Sequence, residues 1–348
     1  MFSIGKGIIG SGQSTYIIAE LSANHNQSLE HAIAVLHAAR GAGADAIKLQ
    51  TYTPTTITLQ SDKAYFRVSG GSLWDGALLY ELYEQAHMPW AWQAALQKVA
   101  REIGLDFFSS AFDPTAVDFL ETLNVPAHKI ASPELVDIPL IETMARTGKP
   151  LILSTGMATF EEIQEAVNAA RGAGATQIAL LKCTSAYPSP PEAMNLRTIP
   201  HLAEQFDLPV GLSDHTLGFA VPVAAVTLGA CMIEKHFTLR RADGGPDSAF
   251  SLEPHEFKQM VAAIRVAEQA LGQVHYGVTK QDASGRAYRR SLFVVKNIVV
   301  GEIFTNENVR SIRPANGLSP KHLPQVLGKR AARDLERGTP LVWEDVLS

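Results

Sequence analysis

Lysines, serines, histidines and glutamates close a series of short apolar runs in this chain. In order these run ends offer Glu20; Lys48 and Gln50; Ser109 and Ser110; Lys129 and Ser132; Ser154; Lys182 and Ser185; Ser213, Asp214 and His215; and Glu234 and His236. One such residue alone is an ordinary surface charge or turn former; the recurrence at every run points to chemistry. Lys48, Lys129 and Lys182 are point charges beside hydroxyl donors, a set that suits a phosphate or a carboxylate. The alternative pairs these lysines with nearby acids such as Asp45 or Glu134. His215 and His236 end the last two runs, and neutral imidazoles on neighbouring strands can share one divalent ion. With no thiolate in the set, open coordination positions remain for water and substrate, as a Lewis-acid site requires. Otherwise each is a hydrogen-bonded core histidine. Glu20 either handles a proton of a bound oxygen or forms a salt bridge with one of the lysines.

The elements that must position these groups are legible as alternation. Eight strand-like runs, at 15–20, 45–50, 105–110, 128–132, 150–155, 178–185, 208–214 and 231–237, alternate with amphipathic stretches at 29–42, 90–103, 114–123, 138–147, 159–172, 195–206, 218–229 and 254–271. Ser28, Asp113 before Pro114, and Thr159 with Glu162 read as helix starts, and Gly104 and Gly148 as helix ends. Such alternation predicts parallel pairing with right-handed crossovers, and eight repeats predict a (β/α)₈ TIM barrel over residues 1–280. A doubly wound open sheet is the alternative, but no GxGxxG follows the first run. In a barrel the run ends form one mouth. The stretch 51–89 is long for a single βα loop, which marks it as functional. Tyr187, in CTSAYPSP, either walls a ligand pocket or packs on Pro188, Pro190 and Pro191. Cys183 reads as a small buried hydrophobe with no base nearby.

Residues 281–290 are polar and basic and read as a linker. Residues 291–348 carry short strand-like pieces (LFVVKNIVV, GEIFT, LVWEDV) and a helical stretch near 320–327, a module small enough to need packing against a barrel or a partner. The 348 residues are 46% hydrophobic and 19% charged, an ordinary globular composition rather than a disordered or fibrous one. No apolar run approaches the ~20 residues of a membrane span, and the first residues lack the pattern of a secretory signal. Two cysteines, Cys183 and Cys231, fit a reducing cytoplasm, and a net charge of −5 argues against general nucleic-acid binding. The charge is uneven: residues 281–348 carry a net +4 and residues 1–280 a net −9. The basic end therefore either docks on an acidic body, meets an anion, or is a chance excess on a solvated surface.

Eight segments then follow in a recognisable order: IIAELSANHN (17–26), GADAIKLQTY (43–52), FFSSAFD (107–113), KIASPEL (129–135), LSTGM (153–157), CTSAYPSP (183–190), GLSDHTLG (211–218) and EKHFTL (234–239). Together they resemble the sialic acid synthase family of phosphoenolpyruvate-dependent nonulosonic acid synthases. The final module, with IRPANGLSP (312–320), resembles the antifreeze-like SAF domain, a β-clip fold. Within the family, GGSLWDGALLYELYEQAHMPW (70–90) is similar to the pseudaminic acid synthase branch. The resemblance implies a phosphoenolpyruvate site of Lys48, Ser110, Lys129, Ser132, Ser154, Lys182, Ser185 and Ser213. It implies an amino-sugar site of Glu20, Gln50, Tyr187, Asp247 and Arg313, the last reaching into a neighbouring subunit of a domain-swapped homodimer. It implies a divalent metal on His215 and His236, usually Mn²⁺ and replaceable by Mg²⁺ or Co²⁺, with Glu20 as the proton-handling catalytic residue. The branch implies a di-N-acetylated trideoxy-altrose as acceptor. N-acetylmannosamine, a legionaminic acid precursor, or a non-catalytic carbohydrate-binding role are the alternatives.

Overall fold

The computed structural model describes residues 1–71 and 73–347. Ser72, inside the 70–90 segment, and Ser348, at the end of the terminal module, lie outside the described residues. The chain divides into two compact units, Met1–Gly272 and Gln273–Ser348. Residues 273–290, divided above between barrel end and linker, belong to the second unit.

The first unit opens with a hairpin, β1 (Phe2–Ile4) and β2 (Gly7–Ile9), followed by eight barrel strands: β3 (Tyr16–Glu20), β4 (Ala46–Thr51), β5 (Asp106–Ala111), β6 (His128–Ile130), β7 (Leu151–Ser154), β8 (Ile178–Cys183), β9 (Val210–Asp214) and β10 (Met232–His236). They pair in parallel and in sequence order, and β10 closes on β3, with His236 in register with Glu20. The doubly wound alternative is thereby excluded. The hairpin seals the opposite end of the barrel: the backbone N–H of Lys6 donates to both Asp106 carboxylate oxygens, at 3.2 and 3.0 Å, and Tyr16 donates to one of them at 2.8 Å.

The helices that follow each strand are α1 (Leu29–Gly41), α2 (Pro54–Ile57), α3 (Leu79–Ala86), α4 (Trp90–Ile103), α5 (Pro114–Thr122), α6 (Ile138–Ala145), α7 (Phe160–Gly172), α8 (Thr198–Phe206), α9 (Ala220–Thr227) and α10 (Pro254–Leu271). Ser28 and Asp113 accept from backbone N–H groups of the first turns of α1 and α5, and Thr159 and Glu162 close a capping box on α7. Gly104 ends α4 in the left-handed conformation, φ 80°, which a residue with a Cβ adopts at a cost.

Among the described residues of the second unit, only β11 (Ser291–Val294) and β12 (Val309–Ile312) form a regular antiparallel pair. The other expected strand pieces survive as single bridges, such as Ile298 with Leu335 and Ile303 with Arg330. Turn residues recur too often for longer ladders. The predicted helical stretch is present as a 3₁₀ turn, Pro320–His322, that runs into one turn of helix, α11 (Leu323–Val326). Leu292, Val294, Phe304, Val309, Val326 and Leu341 form this unit's own small core.

Strand parity decides which polar residues reach the barrel interior, because successive side chains point to opposite faces. Asp214 and Lys235, each next to a histidine, face outward into the strand–helix layer. There they form a fully buried ion pair at 2.5 Å that ties the ends of β9 and β10 together, with Thr216 bonded to both partners. Removing one partner strands a buried charge. Lys235→Met therefore lowers unfolding stability by about 3–5 kcal/mol. In denaturant titration the double variant Asp214→Asn/Lys235→Met regains most of that loss.

Candidate active site

The inward-facing residues of the strand ends converge on a buried charge cluster. Lys48 Nζ lies 2.7 Å from Glu20 Oε2 and 3.5 Å from Glu234 Oε1, and donates to Ser110 Oγ at 3.2 Å. Gln50 donates to the other Glu20 oxygen at 3.1 Å, and Ser213 donates to Glu234 at 3.1 Å. The acids that face Lys48 are thus Glu20 and Glu234, not Asp45, which binds the Ile17 N–H and Arg265 at the far end of the barrel. Burial raises the Glu20 carboxyl well above the usual range. Lys48 opposes this, but the negative charge of Glu234 adds to it. Burial acts on Glu234 in the same sense, yet Lys48 and Lys129 outweigh it and hold that group low. One proton is therefore favoured on Glu20, a division of two neighbouring carboxyls into an acid and a fixed anion.

A second cluster presents donors. Lys129 donates to Ser154 Oγ and to the Ile130 carbonyl, both at 2.7 Å, and burial brings its ammonium down to about 8. Ser132 accepts from the Gly156 N–H at 3.0 Å, and the Ser185 hydroxyl is buried without a partner. A Cβ on Gly156 would sit 2.4 Å from Ser185 Oγ and 2.6 Å from Ser132 Oγ, so glycine is what lets these two hydroxyls share the space. Lysine ammonium and serine hydroxyls of this kind bind a phosphate or a carboxylate well. Lys182 stands apart. It lies one residue out of phase with Cys183 and donates to the Cys183 carbonyl at 2.7 Å and to Thr184 Oγ1 at 3.0 Å. Ser109 likewise faces outward, to Thr51 at 2.6 Å.

The third cluster is aromatic. The rings of His215 and His236 lie 5.2 Å apart, with Tyr187 4.3 Å from His215 and Phe250 4.9 Å from His236. His215 turns Nδ1 to the Thr184 carbonyl at 3.0 Å, which orients the ring and leaves Nε2 as the free lone pair. His236 Nδ1 is buried with no partner, and burial together with His215 and Lys48 holds its pKa well below the ordinary value. Burial lowers the His215 pKa too, but Cys183, the Thr184 carbonyl and Asp214 outweigh it and raise it. An oriented imidazole beside a neutral one with an orphaned buried nitrogen fits a divalent ion, which would displace the proton from His215. Among the described residues no third His, Cys, Asp or Glu joins them, so further ligands would come from water or substrate. Cys183 does have an imidazole beside it, with Sγ 4.0 Å from His215 Nδ1; no local pattern shows this, because the two residues belong to successive strand–helix repeats.

Beside the histidines opens a cavity of about 290 Å³. Gln50, Tyr187, His236 and Asp247 line it, together with Tyr52, Trp74 and part of α3. Asp247 is held there by Ser22 Oγ and the Ala23 N–H. Tyr187 thus faces the cavity as well as its proline-rich loop. Arg313 belongs to the second unit, where it is exposed, and is not among the residues this site brings together. Glu234 was named at its strand end but given no role, and Phe250, Trp74 and Gly156 were not singled out from sequence. Parity with His236 would have found Glu234; the others come from loops with no periodic signal.

A closed parallel barrel with a lysine–serine cluster, a histidine pair and a cavity at one mouth has the layout of a barrel enzyme. The comparisons place it more closely. The NeuB family model matches residues 35–276, and the SAF domain model matches residues 289–347. The chain belongs to the NeuB family, and it is an enzyme with a C-terminal SAF domain. It is 48% identical to a pseudaminic acid synthase of Helicobacter pylori over 96% of this chain and 98% of that one. It is 46% identical to a pseudaminic acid synthase of Campylobacter jejuni over 97% and 98%. Among solved structures it is similar to the spore coat polysaccharide biosynthesis protein SpsE of Bacillus subtilis, with a TM-score of 0.68, 34% identity, and coverage of 100% and 99%. Among the described residues no helix is long and apolar enough to cross a membrane.

Lys129 gives this site a pH signature. Its ammonium, lowered to about 8, must be charged to hold an anion, and a bound anion raises it again. Affinity for inorganic phosphate therefore falls as pH rises through 8, up to about tenfold per unit. Lys129→Arg, which stays charged, flattens that fall in calorimetric titrations at pH 7 and 9.5.

Proposed function

We propose that this enzyme condenses phosphoenolpyruvate with open-chain 2,4-diacetamido-2,4,6-trideoxy-L-altrose and water, releasing pseudaminic acid and phosphate. The observation that carries this reading is the junction of the lysine–serine cluster, the histidine pair and the cavity at one mouth. The likeness to two pseudaminic acid synthases supports the choice of sugar.

In this reading Lys48 and Lys129, with Ser110, Ser132, Ser154, Ser185 and Ser213, hold the phosphate and carboxylate of phosphoenolpyruvate. Lys182 would join them only by leaving its present bonds to Cys183 and Thr184. Gln50, Tyr187 and Asp247 hold the amino sugar so that its aldehyde carbon faces the phosphoenolpyruvate methylene. His215 and His236 would hold a divalent ion, Mn²⁺ first and Mg²⁺ or Co²⁺ in its place, which when bound supplies Lewis-acid polarisation of the aldehyde. The methylene carbon attacks the aldehyde carbon, and Glu20, the carboxyl raised by burial, gives its proton to the oxygen that becomes a hydroxyl. Positive charge develops at the former enol carbon, where the Glu234 carboxylate beside Lys48 is a fixed counter-charge. Water adds there, one of its protons returns to Glu20, the carbon–oxygen bond to phosphate breaks as the other proton leaves with the phosphate, and the α-keto acid is left. We assign the reaction to the cytoplasm and the working unit to a homodimer in which Arg313 completes the sugar site of a second copy.

Phosphate release measured with phosphoenolpyruvate, Mn²⁺ and each of three sugars tests the assignment: the altrose derivative is turned over, and reaction with N-acetylmannosamine or the legionaminic acid precursor alone would overturn it. His236→Ala abolishes turnover and weakens Mn²⁺ binding, read by electron paramagnetic resonance, while circular dichroism stays native; unchanged Mn²⁺ binding would remove His236 from the metal site. Arg313→Ala raises the KM for the sugar more than that for phosphoenolpyruvate, and equal values would remove Arg313 from the sugar site.

A further inference from the structure

Helix α3 is amphipathic without a core to face. Leu79, Leu82, Tyr83 and Ala86 repeat at i, i+3, i+4 and i+7 and form one stripe, yet none of the residues of α3 is buried. All four line the cavity that also contains Gln50 and His236. A short hairpin-like turn adds Val68 to the same wall: Val68 bonds Ala77 and Gly76 through the backbone at 2.9 Å, and Arg67 bridges Leu78. The neighbouring Trp74 is pinned across the cavity, donating from its indole N–H to the Pro246 carbonyl at 3.1 Å. Two strand ends thus supply the amide and imidazole of the cavity floor and the loop after β10 its carboxylate, Asp247, whereas α3 and the turn before it supply a wall of carbon in which Tyr83 carries the one polar atom of the stripe.

We propose that this wall is a specificity subsite that selects an amino sugar lacking oxygen at the end remote from its carbonyl. The inference rests on the amino-sugar reading above and extends it to the choice among amino sugars. The reacting carbonyl must lie at the histidine floor, so the far end of the open chain meets α3. A 6-methyl group is buried there against Leu79, Leu82 and Val68. A 6-hydroxyl would lose its water and find no partner on those three side chains, which disfavours it. An apolar wall rejects an added hydroxyl only by a moderate factor. The expected ratio of kcat/KM for the 6-deoxy sugar over its 6-hydroxy counterpart is therefore about 10- to 100-fold.

The test compares 2,4-diacetamido-2,4,6-trideoxy-L-altrose with 2,4-diacetamido-2,4-dideoxy-L-altrose on the full chain with Mn²⁺ and phosphoenolpyruvate. Wild type shows the ratio above. Leu82→Asn, and separately Leu79→Asn, lower it by about fivefold or more, with the change carried by the sugar KM rather than by that for phosphoenolpyruvate. A wild-type ratio near one, which needs no variant to measure, overturns the subsite while leaving the proposed reaction standing. An unchanged ratio in both folded variants does the same. Turnover of N-acetylmannosamine in preference to either altrose derivative overturns the substrate reading, and the subsite with it.

Discussion

The structure turns on one ammonium group placed between two buried carboxylates. Lys48 faces Glu20 and Glu234 inside a barrel where water is scarce, and three such charges are costly to desolvate unless each is satisfied. Gln50, Ser110 and Ser213 supply the remaining bonds. With the proton on Glu20, the Lys48 ammonium is balanced by the Glu234 carboxylate, and the second lysine, Lys129, lies close enough to be felt by both acids. An incoming trianion is therefore met by lysines whose charge is already partly committed. What it gains is orientation, because Lys48, Lys129 and Ser213 are each held by a bond to a neighbour before the ligand arrives.

The barrel wall has a polarity on each side that serves a different end. Inward residues of β3, β4, β5, β6, β7, β9 and β10 gather in the candidate site, while the outward neighbours of the two histidines, Asp214 and Lys235, lock their strands to each other. The histidine pair can then keep its 5.2 Å separation without relying on a bound ion to draw it together. The small rings packed around it, Tyr187 and Phe250, exclude water from the same side and connect it to the cavity.

Much of this was legible in the residues themselves. The eight-fold alternation of apolar runs and amphipathic stretches leads to the closed barrel, because strands buried on both faces need continuous apolar runs and their crossover helices need a one-sided stripe. The polar strand ends lead to the mouth. Phase was the part left unread: Lys182 and Ser109 sit at strand ends as Lys129 and Ser110 do, but one residue out of step, and so face the other way. Contacts between loops were also beyond reach. Phe250, Trp74 and the proximity of Cys183 to His215 depend on chain segments far apart in sequence, and no local pattern encodes them. In the terminal module, single bridges replaced the expected strands because turn-forming residues interrupt each apolar run before a ladder can extend.

The register of the closing strand has a consequence for how such a protein comes to life. Glu20 and His236 stand side by side only because the last barrel strand returns to the first. A ribosome must release nearly the whole barrel before Glu20 and the histidine pair can meet. Nascent chains and fragments that lack the last strand therefore hold only the separate parts of this centre, and the cell is spared a half-assembled one.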